Sequence, residues 1–190
     1  MSDISSEKDA FLIMAHTNFS QLQTLIGLLD DPRNDIYLHV DKRSTTFRSD
    51  RIQVKHAGLV FIHRIRVNWG GHSQIECELN LLKAAVPKGY RYYHLLSGAD
   101  LPLKTQDELH AFFAEAFPRN FIRFDTESIL SGDFHHRIDT YHLLQDHFGL
   151  NTGFVPGLLR RIEGCALMIQ KAMGIRRRRY VQPYKGTNWF

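Results

Sequence analysis

Apolar residues along this chain fall into two rhythms, short continuous runs and helical stripes, and the two alternate. Ala10 to Ala15 reads Ala-Phe-Leu-Ile-Met-Ala, an unbroken run as expected for a strand buried on both faces. Asn18 or Thr17 can cap a helix from Phe19 to Leu29, with Leu22, Leu25, Ile26 and Leu29 on one stripe. Asp30-Asp31-Pro32 stops it, and Ile36 to Val40 reads as a second strand. A strand–helix–strand unit of this length favours a parallel pair with a crossover connection. Leu59 to Ile62 is a third predicted strand. A helix from Ser73 to Val86 follows, with Ile75, Leu79, Leu82 and Ala85 as its predicted apolar stripe. Tyr92 to Leu96 is a fourth strand. Thr105, with Glu108 at capping-box spacing, opens a helix to about Ala116, and Asn120 to Phe124 reads as a fifth strand. Alternating strands and helices predict an α/β fold.

The rhythm blurs after Asp125. His135, Arg137, Asp139 and Tyr141 alternate like one polar face of a strand, within a histidine-rich stretch that includes His136, His142 and His147. That spacing matches no zinc motif, so no metal site is assigned. Leu158 to Met173 reads as an amphipathic helix ended by Gly174. No internal repeat, low-complexity linker or domain boundary is visible, which leaves one domain over residues 1–190.

Composition narrows the class. A hydrophobic content of 43% with 12% aromatics belongs to a globular protein with a sizeable core. No apolar run is long enough for a membrane span, and the polar stretch Met1 to Asp9 is not a signal peptide. Cys77 and Cys165 make no metal-ligand spacing and read as reduced core residues of a cytoplasmic protein. The net charge of +4 is unevenly spread: residues 151–190 carry +7 and residues 1–150 carry −3. The basic end, with Arg176 to Arg179, suits a phosphate group or a peripheral contact with an anionic membrane. An ordinary solvated surface accounts for it equally. Nucleic acid is a poorer fit, because no recognition helix or stacking motif accompanies the arginines.

Candidate chemistry clusters at the ends of the predicted strands. Ligands of open α/β sheets bind outside the carboxyl ends of the strands. His16, Asp41, the Trp69-Gly70-Gly71 turn and Ser97-Gly98-Ala99-Asp100 should all lie at such ends. Glycines there permit positive φ and close approach of a ligand, and an aromatic offers a flat face to a base. Asp41 and Asp100 read equally well as turn or cap residues.

Several stretches, in this order and spacing, carry a resemblance. They are Ala15-His16, Asp35 to Lys42 (Asp-Ile-Tyr-Leu-His-Val-Asp-Lys), Trp69-Gly70-Gly71-His72-Ser73, Leu96 to Lys104 (Leu-Ser-Gly-Ala-Asp-Leu-Pro-Leu-Lys) and Gly186-Thr187-Asn188-Trp189. Together they resemble the core-2/I-branching glycosyltransferases, which include β-1,6-N-acetylglucosaminyltransferases and peptide O-xylosyltransferases. The resemblance runs from about Ala10 to Phe190.

The resemblance implies a GT-A type fold, with residues of about 10–124 as a nucleotide-sugar half and 125–190 as the start of an acceptor half. It implies inverting transfer of N-acetylglucosamine or xylose from a UDP-sugar to a hydroxyl of a glycan or protein. No cofactor is implied: the family lacks the Asp-X-Asp metal motif, and none occurs in this sequence. Asp41 would sit by the uridine, and Trp69 would stack on uracil. His16, Gly70, Gly71, Ser97, Gly98 and Asp100 would complete the donor site. Arg137, Gly186, Thr187 and Trp189 would face the acceptor. The family's catalytic glutamate lies in an Asp-Glu pair downstream of the Gly-X-X-Trp motif, and nothing in this sequence matches it. The catalytic residue is therefore unassigned, and the 190-residue chain is expected to be C-terminally truncated and inactive alone. The alternative is a non-catalytic remnant that binds a UDP-sugar or a glycan.

Overall fold

Strand β1 (Asp9–Ala15) is the centre of the molecule's main sheet, and its side chains divide the core in two. Phe11, Ile13 and Ala15 point to one face and Ala10 and Leu12 to the other, all buried. Such a strand must be covered on both faces, which explains the unbroken apolar run. The computed structural model describes residues 7–68, 70–121, 124–125, 139–149, 152–177 and 185–186, with 124–125 and 185–186 as backbone.

Helix α1 (Phe19–Leu28) covers the first face. Leu22, Leu25, Ile26 and Leu29 are all buried against Ile13, Ile36, Leu38 and Val40. Asn18, at φ 49°, caps the helix by accepting from the Gln21 N–H. Strand β2 (Asn34–Val40) pairs parallel with β1, and β3 (Gly58–Phe61) pairs parallel with β2. Helix α2 (His72–Ala85) covers the opposite face before β4 (Tyr92–Ser97) returns to the other side of β1. The order β3-β2-β1-β4 is all parallel. This is the α/β arrangement expected, and it is consistent with a GT-A type fold.

Helix α3 (Gln106–Ala116) begins at a complete capping box, with Thr105 accepting from the Glu108 N–H and Glu108 accepting from the Thr105 N–H. Its Phe113 packs on His94 of β4, which in turn stacks on Phe11 at 4.7 Å.

Three expectations are corrected. The buried face of α2 is Gln74, Cys77, Leu81 and Ala85, whereas Ile75 and Leu79 are exposed. Both stripes satisfy helical spacing, and the true one contains a buried glutamine that disguises it. Cys77 is a core residue, and burial pushes its thiol up to about 12. Cys165 is exposed rather than in the core. The fifth strand is displaced: β5 (Phe124–Asp125) pairs antiparallel with β6 (Lys185–Gly186) in a separate two-stranded sheet.

Two compact units divide the chain: one holds the described residues of Met1–Val67 and Ser73–Asn120, the other those of Asn68–His72 and Phe121–Asn188. In the second unit, α4 (Gln145–Phe148) packs beside α5 (Phe154–Ala172). Of the polar alternation His135, Arg137, Asp139 and Tyr141, only Asp139 and Tyr141 are among the described residues, and these two form no strand. Tyr141 instead exchanges two hydrogen bonds with the Gln170 side chain.

Candidate functional site

Four parallel strands put all their carboxyl ends on one edge of the sheet. The strand order also reverses between β1 and β4, since β2 and β3 lie to one side of β1 and β4 to the other. Such a reversal opens the crevice in which α/β sheets bind ligands. His16 lies just past β1, Asp41 just past β2, and Ser97-Gly98-Ala99-Asp100 at the end of β4. The structure therefore brings these sequence-predicted residues to one rim.

The segment at the end of β4 is a closed turn. Asp100 accepts from the Ser97 N–H at 2.8 Å and returns its own N–H to the Ser97 carbonyl at 3.0 Å. Gly98 donates to the Met14 carbonyl at 2.7 Å, so the turn leans on the end of β1. A Cβ at Gly98 would lie 2.7 Å from the Ala15 Cβ, so any side chain there forces the turn or β1 to shift. Gln21 of α1 donates to the Ala99 carbonyl and ties the helix to the same turn.

Asp41 is buried, and both its oxygens are occupied by the protein. Oδ1 accepts from the Arg43 N–H at 2.7 Å and from Arg43 Nε at 3.2 Å. Oδ2 accepts from Arg43 Nη2 at 2.8 Å and from the Val67 N–H at 3.1 Å. Burial works to raise the carboxyl pKa, but the Arg43 side chain and the Arg43 and Val67 amides outweigh it and hold it below the usual range. A carboxylate offers about four lone-pair sites, and four bonds fill them. Asp41 thus acts on the rim by fixing Arg43 and the Val67 backbone.

His39 does the same one turn of chain earlier. Its side chain is fully buried in β2, and its Nε2 accepts the Ile65 N–H at 3.0 Å. Burial pushes its pKa down to about 4, so the ring is neutral at neutral pH. Arg64 completes the arrangement by donating to the carbonyls of Val40, Asp41 and Ser44. Lys42 donates its N–H to the Ile65 carbonyl. Residues 62–67, the segment that leads to the Trp69 turn, are therefore fastened to the end of β2 by three buried or half-buried side chains. Sequence reasoning assigned no role to His39, Arg43 or Arg64. A histidine inside the apolar run Ile36 to Val40 was the available signal, because a polar residue so placed must have a dedicated partner.

Gly70 and Gly71 belong to the other unit. Gly70 has φ +71°, the left-handed backbone expected of a glycine turn. Gly71 closes the turn on the Asn68 carbonyl at 3.0 Å, and a Cβ at Gly71 would collide with the Asp146 carboxylate. Asn68 donates to the Asp146 carbonyl. The turn packs against the Asp146 carboxylate, and α2 starts directly after it at His72. Gly186 lies in β6, opposite Phe124. Trp69, Arg137, Thr187 and Trp189 lie outside the described residues.

Among the described residues no group of three or more His, Cys, Asp or Glu is placed to hold a metal ion. Among them, too, no helix is long and apolar enough to cross a membrane.

The sequence profile of the core-2/I-branching enzymes matches residues 10–168. The chain belongs to the core-2/I-branching enzyme family. That span takes in the β2 motif with His39 and Asp41, the glycine turn and the Ser97–Asp100 turn. Among curated proteins, xylosyltransferase 1 of Homo sapiens is 29% identical over 121 residues, covering 60% of this chain and 13% of that protein. Xylosyltransferase 1 of Rattus norvegicus is 28% identical over 121 residues, covering 60% of this chain and 15% of that protein. Xylosyltransferase 2 of Mus musculus is 27% identical over 121 residues, covering 60% and 14%. The chain thus spans about one-seventh of the length of these relatives.

Proposed function

We propose that this core-2/I-branching family member serves glycosyl transfer from a UDP-sugar, and that the rim of the four-stranded sheet is its donor site. The observation that carries the reading is the meeting of His16, Asp41 and the Ser97–Asp100 turn at the carboxyl edge of a parallel sheet, in a chain whose family is one of glycosyltransferases. The similarity to xylosyltransferases favours xylose as the sugar, with N-acetylglucosamine as the second candidate. The acceptor is a hydroxyl of a glycan or protein.

In this reading Trp69 stacks on the uracil, with Gly70 and Gly71 giving the ligand close access to the backbone. Asp41 acts through Arg43 and Val67, fixing the end of residues 62–67. Gly98 leaves room at the end of β1, and Asp100 keeps the Ser97 turn closed beside it. His16 lines the mouth of the site. Arg137, Gly186, Thr187 and Trp189 line the acceptor side. Transfer is inverting: the acceptor oxygen forms a bond to the anomeric carbon, the bond to UDP breaks, and a carboxylate takes the hydroxyl proton. The residue that takes it is unassigned in this chain. No metal is used; positive side chains neutralise the leaving diphosphate.

Titration calorimetry of UDP against the 190-residue chain tests this reading. UDP should bind without added divalent cation, and Trp69→Ala should weaken it about five- to 150-fold, since one stacked base contributes roughly 1–3 kcal/mol. Binding that requires a divalent metal overturns the metal-free reading. UDP binding unaffected by Trp69→Ala removes Trp69 from the site, and absence of UDP binding refutes the donor site itself.

A further inference from the structure

Helix α5 is turned against the usual pattern of a surface helix. Its buried face carries Glu163 and Gln170, which are spent on the neighbouring chain. Glu163 accepts from the Leu143 and Leu144 N–H groups at 3.0 Å each, and Gln170 bonds both backbone groups of Tyr141. Its outer face is apolar. Phe154, Leu158, Ile162 and Ile169, with Met173 at the C-cap, are all exposed, Phe154 at 86% and Ile169 at 57%. At 100° per residue these five fall within an arc of about 100°, opposite Glu163 and Gln170. An apolar stripe of this kind facing water marks an interaction surface.

The charge around that stripe is of one sign. Residues 152–177 hold Arg160, Arg161, Lys171, Arg176 and Arg177, and Glu163 is their single acid. Glu163 is buried on the far side of the helix. Arg160 lies over the Phe148 ring and donates to the Gly149 carbonyl, and Arg177 lies over Tyr141, so Arg161, Lys171 and Arg176 carry the outward charge. We propose that the outer face of α5 docks onto an anionic lipid surface. The helix would lie in the plane of the headgroups, its apolar arc sunk to the acyl boundary and its cations among the phosphates. Arg161 lies about 20° outside the arc, beside Phe154, where its guanidinium can reach the headgroups. A helix of 19 residues is about 28 Å long, and it lies on the membrane rather than crossing it. A second copy of the chain is the poorer occupant, because face-to-face pairing would bring two sets of arginines together. The inference stands apart from the sugar-transfer reading and does not depend on it.

Vesicle flotation of the 190-residue chain tests it. The chain should float with vesicles of phosphatidylcholine mixed with phosphatidylglycerol, and remain unbound with phosphatidylcholine alone. A basic residue near an anionic surface is worth about fivefold in partition. Arg161→Gln with Lys171→Gln should therefore weaken binding about thirtyfold. Ile162→Glu with Ile169→Glu should abolish it, while circular dichroism stays unchanged because both side chains are already exposed. Equal binding to neutral and anionic vesicles overturns the proposal, as does a chain that binds neither. A dimer in sedimentation that the Ile162→Glu, Ile169→Glu variant converts to monomer assigns the face to a second copy and overturns it as well.

Discussion

His39 makes the stability of the β2 end depend on pH between its unfolded and its folded pKa. In the folded chain its ring is fully buried, and Nε2 must be bare to accept the Ile65 N–H. Burial brings its pKa to about 4, against 6.5 in the ordinary state; the nearby Asp41 charge works the other way, and Arg64 and His63 work with burial. A group whose folded pKa is depressed gives its full stabilisation above the unfolded pKa and loses it as pH falls towards the folded one. The loss therefore begins near pH 6.5 and runs to about pH 4. From those two values it reaches about 2 kcal/mol at about pH 5 and about 3 kcal/mol at about pH 4. His39→Gln removes the titration while its amide oxygen can still accept from Ile65. Urea unfolding of both proteins from about pH 7 downward isolates the histidine, because the other groups are common to both. The stability difference between wild type and variant should shift by about 2 kcal/mol in the variant's favour between about pH 7 and pH 5. A difference that stays flat across that interval would refute a neutral, buried His39 holding residues 62–67.

Two further substitutions test the rim. Asp41→Asn leaves Arg43 without its carboxylate and presents an amide to the Val67 N–H; Arg43 is 44% exposed, so the cost should be held to about 2–3 kcal/mol in chemical unfolding. Because the Asp41 carboxyl is held below its usual range, its contribution is complete above that range and fades as pH falls through the folded value. The variant should lose that part of the acid limb, and an unchanged limb would count against the assignment. Gly98→Ala puts a methyl group 2.7 Å from the Ala15 Cβ and 3.2 Å from its Cα, so overpacking of about 1–3 kcal/mol should appear as a lowered Tm. Unchanged stability would show that the β4 turn yields easily.

Much of the fold was legible because the main sheet is buried on both faces. Apolar runs such as Ala10–Ala15 have no other stable use, and the caps at Asn18 and Thr105 are local chemistry that sequence displays directly. The α2 face was misread because helical spacing alone does not choose between Ile75/Leu79 and Cys77/Leu81; the choice depends on Gln74 being buried, a tertiary matter. The displaced β5 has a similar cause. Its partner, Lys185–Gly186, lies some sixty residues away, so no local pattern announces the pairing. Residues at the rim were found by their types, since Asp, Ser and Gly at strand ends are visible in any sequence. Their roles were harder to read, because a role depends on which atoms remain unspent after folding.

Asp41 shows why that distinction matters for function. A carboxylate at the end of a parallel strand invites a direct contact to a ligand, yet all four of its acceptor sites face Arg43 and Val67. With His39 it holds residues 62–67 by the Ile65 and Val67 N–H groups, and Arg64 of that segment ties its own side chain to the carbonyls of Val40, Asp41 and Ser44. The two backbone contacts fix position without using the side chains of Ile65 and Val67, whereas the Arg64 side chain is itself one of the ties. Trp69 comes two residues after Val67, and a stacking aromatic is useful only if its plane is fixed before the ligand arrives. Under the proposed donor site, the polar residues at the end of β2 act on ligand affinity through pre-organisation. Asp41→Asn and Trp69→Ala should then both weaken UDP, but only Asp41→Asn should also lower the stability of the β2 end. A Trp69→Ala chain as unstable as Asp41→Asn would mean that the tryptophan is part of the clamp rather than the surface it presents.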